Sequence, residues 1–187
     1  ERPSIAVSWA DVRLGAFHRP ELLRFESLTM TEVMTETGHD AVDVLCDLLL
    51  AEDLGVNQVT SGPWSESLRP FIAHPVGLVG TDSTFIGAKP SPRTYGSFPR
   101  ILGQFVRDEQ LLSLEAAVHK MTGAAAARLG LRQRGTLRDG AFADIVVFDP
   151  ATVRSNATYD EPRRFPTGIE HVIVNGSVVV DGGVHTG

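Results

Sequence analysis

Gly135-Thr136-Leu137-Arg138-Asp139-Gly140-Ala141-Phe142-Ala143-Asp144-Ile145-Val146-Val147-Phe148-Asp149 is where the character of the chain changes. Ala143 to Asp149 reads as a strand, an apolar β-branched run bounded by turn residues. Downstream, Val172 to Val180 reads as a hairpin around Asn175-Gly176, because both central positions of a tight hairpin turn need positive φ. No helical pattern separates these strands, so residues 135–187 are expected to form a small all-β part. Gly135 to Gly140 is not a phosphate loop, since no helix follows it.

Upstream the pattern is different. Asp40 precedes an apolar stripe at 41, 44, 45, 48 and 49, which predicts an N-capped helix closed by Gly55. Val56 to Thr60 is β-compatible and is broken by Ser61-Gly62-Pro63. A short helix is expected from Ser65 to Ala73, with Leu68 and Ile72 on one face. Val76 to Asp82 reads as a strand buried on both faces, as in a parallel sheet. A Pro- and Gly-rich loop spans Phe85 to Pro99. Helices follow from about Arg100 to Arg107 and from Ser113 to Leu129. In the second, Leu114, Val118, Met121, Ala125 and Leu129 form the stripe, and Gly130 ends it. This order predicts an α/β fold with a parallel sheet up to a boundary near residues 132–135.

The chain has 187 residues, 42% hydrophobic and 21% charged, enough for one sizeable core. No run approaches the ~18 apolar residues of a membrane span, and the first residues do not resemble a signal peptide. A soluble, cytoplasmic protein with no membrane partner is expected. The net charge of −6 argues against a nucleic-acid surface. The single Cys46 excludes a disulfide framework within the chain and is read as a packing residue. The apolar run from Ile5 to Ala10 at one end, and a strand-turn pattern at the other, are expected of a piece of a larger protein.

Two residues stand out for chemistry. Asp82 is placed at the carboxyl end of a parallel strand, where α/β folds build active sites, and small Gly80 and Ser83 leave room for a ligand. Thr-Asp-Ser is also common turn chemistry. Arg93 lies in a long loop stiffened by Pro90 and Pro92, and its planar fork suits a carboxylate. Most of the fifteen Arg residues are expected to be solvated surface groups. The six His residues form no HxH or HExxH pattern, and there is no GxSxG elbow.

The glycines and apolar runs from Gly135 to Asp149, with Val172-x-Val174-x-Gly176 and Gly182-Gly183, resemble the C-terminal signature of the amidohydrolase superfamily. Val79-Gly80-Thr81-Asp82-Ser83 and Pro92-Arg93-Thr94-Tyr95-Gly96-Ser97-Phe98-Pro99-Arg100 are similar to the N-acyl-D-amino-acid deacylase branch. So are His39-Asp40 with the helix after it, Leu114 to Thr122, and Tyr159 to His171. The resemblance runs from about residue 39 onward and is weaker before. It implies the C-terminal part of a (β/α)8, TIM-like, metal-dependent hydrolase barrel over 1–134, then part of a β-sandwich over 135–187.

The implied activity of the full-length protein is hydrolysis of N-acyl-D-amino acids by zinc-activated water, with a small-molecule substrate. The chain alone is expected to be inactive. Asp82 corresponds to the family's catalytic Asp and to a secondary metal ligand. Arg93 corresponds to the Arg that grips the substrate α-carboxylate. Thr60 and Ser61 would line the side-chain pocket. Many members carry His where this chain has Ser91. The main zinc ligands of the family come from earlier strands. Two alternatives stay open: an amidohydrolase acting on cyclic amides, and a non-catalytic binding module.

Overall fold

A computed structural model describes residues 8–61 and 64–187. The run from Ile5 to Val7 and the Gly62-Pro63 break lie outside the described residues. β1 (Val12–Gly15) follows a 3-10 turn at Trp9–Asp11 and buries Val12 and Leu14 by strand alternation. It pairs with β2 (Asn57–Thr60) in the register Val12↔Thr60 to Gly15↔Asn57. The pairing is antiparallel, so the expected parallel sheet is not found among the described residues.

Helices cover this pair. α1 (Met30–Thr37) starts at a capping box in which Thr29 and Glu32 each accept from the other's backbone N–H. In α2 (Ala41–Ala51) the Asp40 carboxylate accepts from the N–H groups of Val42 and Asp43, as the sequence predicts. The helix stops before Gly55, because Asp53 and Leu54 take left-handed φ values of 49° and 65°. Val12, Leu14, Phe17, Phe25, Met30, Val33, Val44 and Leu48 form one core. Cys46 is exposed on α2 rather than packed.

Buried Glu52 accepts from the N–H groups of Arg19 and His18 at 2.9 and 3.0 Å. These bonds, Arg19 first, hold its carboxyl below the usual range against the opposing effect of burial. The carboxylate thereby fixes the start of the 3-10 helix Pro20–Phe25.

A second core joins α3 (Trp64–Ala73), through Ile72, to Ile101, Phe105 and Ala117. α4 (Arg93–Arg100) lies inside the stretch expected to be loop and runs directly into a π-helix, Ile101–Asp108. The segment expected as one helix from 113 to 129 is two, α5 (Leu114–Met121) and α6 (Gly123–Arg128), offset at Thr122. The offset turns the buried face to Ala117, Lys120, Gly123 and Ala126, and Leu129 is exposed. Among the described residues no helix is long and apolar enough to cross a membrane.

Val76 to Asp82 is not a strand. No strand among the described residues lies beside it to accept its hydrogen bonds, and Val76 and Leu78 are exposed. Val79 alone packs on the second core.

The last third is a four-stranded antiparallel sheet: β3 (Ile145–Phe148), β4 (Ile169–Val174), β5 (Ser177–Asp181) and β6 (Val184–His185) in spatial order. Asn175 and Gly176 both have positive φ, 51° and 84°, as the hairpin reading requires. In β3, Val146 and Val147 are about half exposed. Just before the strand, the Asp144 carboxylate accepts from the Asn175 N–H at 2.8 Å and pairs with Arg134.

Candidate active site

Asp82 and Arg93 meet. Arg93 Nη2 lies 3.0 Å from Asp82 Oδ2, so the two sequence-predicted residues form one ion pair. Asp82 ends the extended, unpaired stretch at a φ of 46°, a backbone region that Asp tolerates better than most residues. Its side chain is 88% exposed, and that of Arg93 is 50% exposed. Such a pair contributes little to stability, and either partner can exchange it for another.

Arg93 is not a loop residue. It is the first residue of α4, behind the turn in which the Thr94 N–H donates to Ser91 O at 2.9 Å. The first-turn N–H groups of Thr94, Tyr95 and Gly96 donate to Ser91 O and Pro92 O, so the guanidinium alone holds the Asp82 carboxylate. Thr94 Oγ1 donates to Thr84 O at 3.2 Å and ties the two ends of the intervening loop.

Thr60 and Ser61 stand apart from this pair. Thr60 ends β2 opposite Val12, and the N–H and hydroxyl of Ser61 both donate to Asp11 O. No hydrogen bond or ion pair links either residue to Asp82 or Arg93. A small cavity beside β2 is lined by Arg13, Asn57, Val59, Ile86, Lys89 and Tyr159, among others. A shallow open cleft is lined by Lys89, Asp160, Glu161, Arg163 and Arg164 with Ala88 and Pro162. Neither contains Asp82 or Arg93, so the case for the site rests on the pair itself.

No three His, Cys, Asp or Glu side chains converge to hold a metal among the described residues. A tetrahedral zinc site takes at least three protein donors, and one exposed carboxylate is not such a set. The described residues by themselves therefore do not fit a zinc ion.

The supports of the site were not legible in the sequence. Lys120, buried on α5, donates to the carbonyls of His74 and Gly77 and fixes the turn that leads into 78–82. Glu26 accepts from the Ala88 N–H at 3.1 Å. Arg163 reaches the same loop from the last third of the chain. Each partner lies more than 40 positions away, and no local pattern signals such a contact.

The sequence profile of the amidohydrolase family matches residues 10–180. Two curated relatives come from Alcaligenes xylosoxydans xylosoxydans. An N-acyl-D-aspartate deacylase is 40% identical over 152 residues, which are 78% of this chain and 30% of that protein. An N-acyl-D-glutamate deacylase is 50% identical over 112 residues, 60% of this chain and 23% of that protein.

A crystal structure of D-aminoacylase superposes with a TM-score of 0.83 at 33% identity, over 94% of this chain and 36% of that one. The N-acyl-D-glutamate deacylase of Bordetella bronchiseptica, solved with zinc and a phosphonate inhibitor mimicking the tetrahedral intermediate, superposes at 0.82 with the same identity and coverage. The chain spans about a third or less of the length of these relatives. The match starts well before residue 39, so the likeness extends through β1 and the first core. With most of its length inside the profile, the chain belongs to the amidohydrolase family.

Proposed function

We propose that the full-length protein hydrolyses the amide bond of N-acyl-D-amino acids, releasing the amino acid and a carboxylic acid. The observation that carries this reading is the Asp82–Arg93 pair, one carboxylate and one carboxylate-binding group 3.0 Å apart. Its exposure lets a substrate α-carboxylate replace Asp82 on the guanidinium at little cost. That exchange orients the substrate and leaves Asp82 without its counter-charge. Asp82 then accepts the proton of the attacking water and returns a proton to the departing amine. Arg93 holds the carboxylate through both steps, so the scissile carbonyl keeps one orientation.

The substrates named for the relatives, N-acyl-D-aspartate and N-acyl-D-glutamate, carry the α-carboxylate this scheme needs. A cyclic amide without one would leave Arg93 unused. The zinc named for the Bordetella protein is proposed here too, held mainly by positions other than the described ones, since these do not supply a donor set. In the same reading, residues 1–134 are the closing part of a (β/α)8 barrel and 135–187 part of a β-sandwich. Thr60 and Ser61 remain proposed pocket residues, from the position of β2 alone.

The test is an assay of the full-length protein on N-acetyl-D-amino acids, their L-enantiomers and their α-amides. Fast release of D-amino acids and slow reaction of the α-amides are expected. Equal rates on acids and amides would sink the role of Arg93, and no hydrolysis at all would favour the binding-module alternative.

A further inference from the structure

We propose that Arg163 is a positioning residue for substrate capture, acting through the loop it clamps to set the place of Arg93. The proposal rests on the reading of Arg93 as the carboxylate grip. Arg163 comes from the stretch between β3 and β4, far along the chain from the loop. Its Nε donates to Ala88 O at 2.9 Å, its Nη2 to Gly87 O at 2.9 Å and its Nη1 to Tyr95 Oη at 3.2 Å. No other donor among the described residues reaches either carbonyl. The guanidinium is thereby committed to the protein and is not left to bind substrate.

The loop depends on this clamp because it has almost no hydrogen bonds of its own. Residues 78–92 donate no backbone-to-backbone hydrogen bond. What holds the loop is side chains: Glu26 on the Ala88 N–H, Thr94 on Thr84 O, and Arg163 on both carbonyls. Ala88 is thus held from both sides of its backbone, by an acid from the first third and a base from the last. Tyr95, two positions after Arg93, takes the third arm of Arg163. Its ring packs edge-on against Phe85 at 6.2 Å and Phe165 at 6.0 Å. Phe165 comes from the same stretch as Arg163, so the two together fix the first turn of α4. A planar fork reaches two carbonyls and a hydroxyl from three separate nitrogens held in one plane, whereas an ammonium carries all its donors on a single atom.

The consequence is a dependence of substrate capture on a residue that touches no substrate. A misplacement of about 1 Å can lower rates by about 100-fold. In the full-length enzyme, Arg163→Ala is expected to lower kcat/KM for N-acetyl-D-amino acids on the order of 10- to 100-fold, mostly through KM. The preference for the acid over its α-amide should fall by a similar factor. Arg163→Lys should fall in between. In an Arg93→Ala background, Arg163→Ala should change kcat/KM by no more than about twofold, because the group it positions is gone. A purely structural role would lower the melting temperature and leave the acid-to-amide preference intact. If Arg163→Ala does not fold, Arg163→Lys is read in its place, and a wild-type preference there overturns the proposal. If Arg93→Ala loses the preference and folded Arg163→Ala keeps it, the proposal falls alone. If Arg93→Ala itself keeps the preference, the reading of Arg93 falls and the proposal with it.

Discussion

Val76 to Asp82 and Val172 to Val180 are both apolar, β-prone runs, yet only the second becomes paired strands. The hairpin carries its own partner. Asn175 and Gly176 reverse the chain, and Val174 meets Ser177 at once. The first run has no neighbour among the described residues to pair with, so it stays extended with Val76 81% exposed. Strand propensity describes a surface that a residue fits, and without that surface it decides nothing. The stretch without a partner is also the one that ends in Asp82. Stability and proposed chemistry are therefore separated, the first in the hairpin and the packed cores, the second on a segment held by a few side chains.

The sharpest way to break that separation is Asp82→Asn in the full-length protein. The side chain is 88% exposed, so the fold should not register the change, and the melting temperature should stay within error. Turnover should fall by ~10²–10⁴-fold, since an amide neither accepts the water proton nor passes one to the amine. A variant with lost stability and normal kcat would make Asp82 a turn residue and dissolve the contrast.

Phe105→Ala tests the opposite side. Phe105 is 1% exposed in the core on which Val79 rests. Emptying that site should destabilise by about 3–5 kcal/mol, read from denaturant unfolding. Partial loss of activity at temperatures where the protein is still folded is also expected, because Val79 is the packing contact of the Asp82 segment. If activity per folded molecule is unchanged, that segment does not depend on the core beneath it.

Legibility followed the range of the interactions. The N-cap of Asp40, the helix after it and the Asn175-Gly176 turn are local, and each could be read from a few residues. Asp82 and Arg93 were legible as types, a carboxylate at the end of an apolar run beside small Gly80 and Ser83, and an Arg in a stretch stiffened by Pro90 and Pro92. Their direct contact was not, nor was the placement of Arg93 at the start of α4. The 113–129 stripe failed because Thr122 offsets two helices, which shifts the buried face away from Leu129. Arg163, Lys120 and Glu26 carried no signal, since their partners lie in distant parts of the chain.

Gly176→Ala sharpens the hairpin side of the contrast. Gly176 has a φ of 84°, and an added Cβ would meet nothing within 4 Å. The effect is then backbone strain alone, roughly 1–2 kcal/mol. The melting temperature should drop, with kcat/KM per folded molecule unchanged. A change in kcat/KM would mean that the hairpin bears on the site.

The smallest expected effect lies in pH. Asp144 joins the chain before the sheet to the hairpin turn. The Asn175 N–H, and next the Arg134 guanidinium, hold its carboxyl below the ordinary value of 3.8. A group whose pKa is lowered by folding binds fewer protons when folded than when unfolded. Its contribution is therefore complete above the ordinary value and is lost as pH falls through the lowered one. Asp144→Asn removes that contribution at every pH while keeping an oxygen for the Asn175 N–H. The gap in melting temperature between wild type and variant should be largest near neutral pH. It should close as pH drops below about 4. Other lowered carboxyls, such as Glu52 and Asp149, titrate in both proteins and cancel in the difference. A gap that stays constant down to pH values well below that of an ordinary carboxylate would show that Asp144 holds the turn by shape and not by charge.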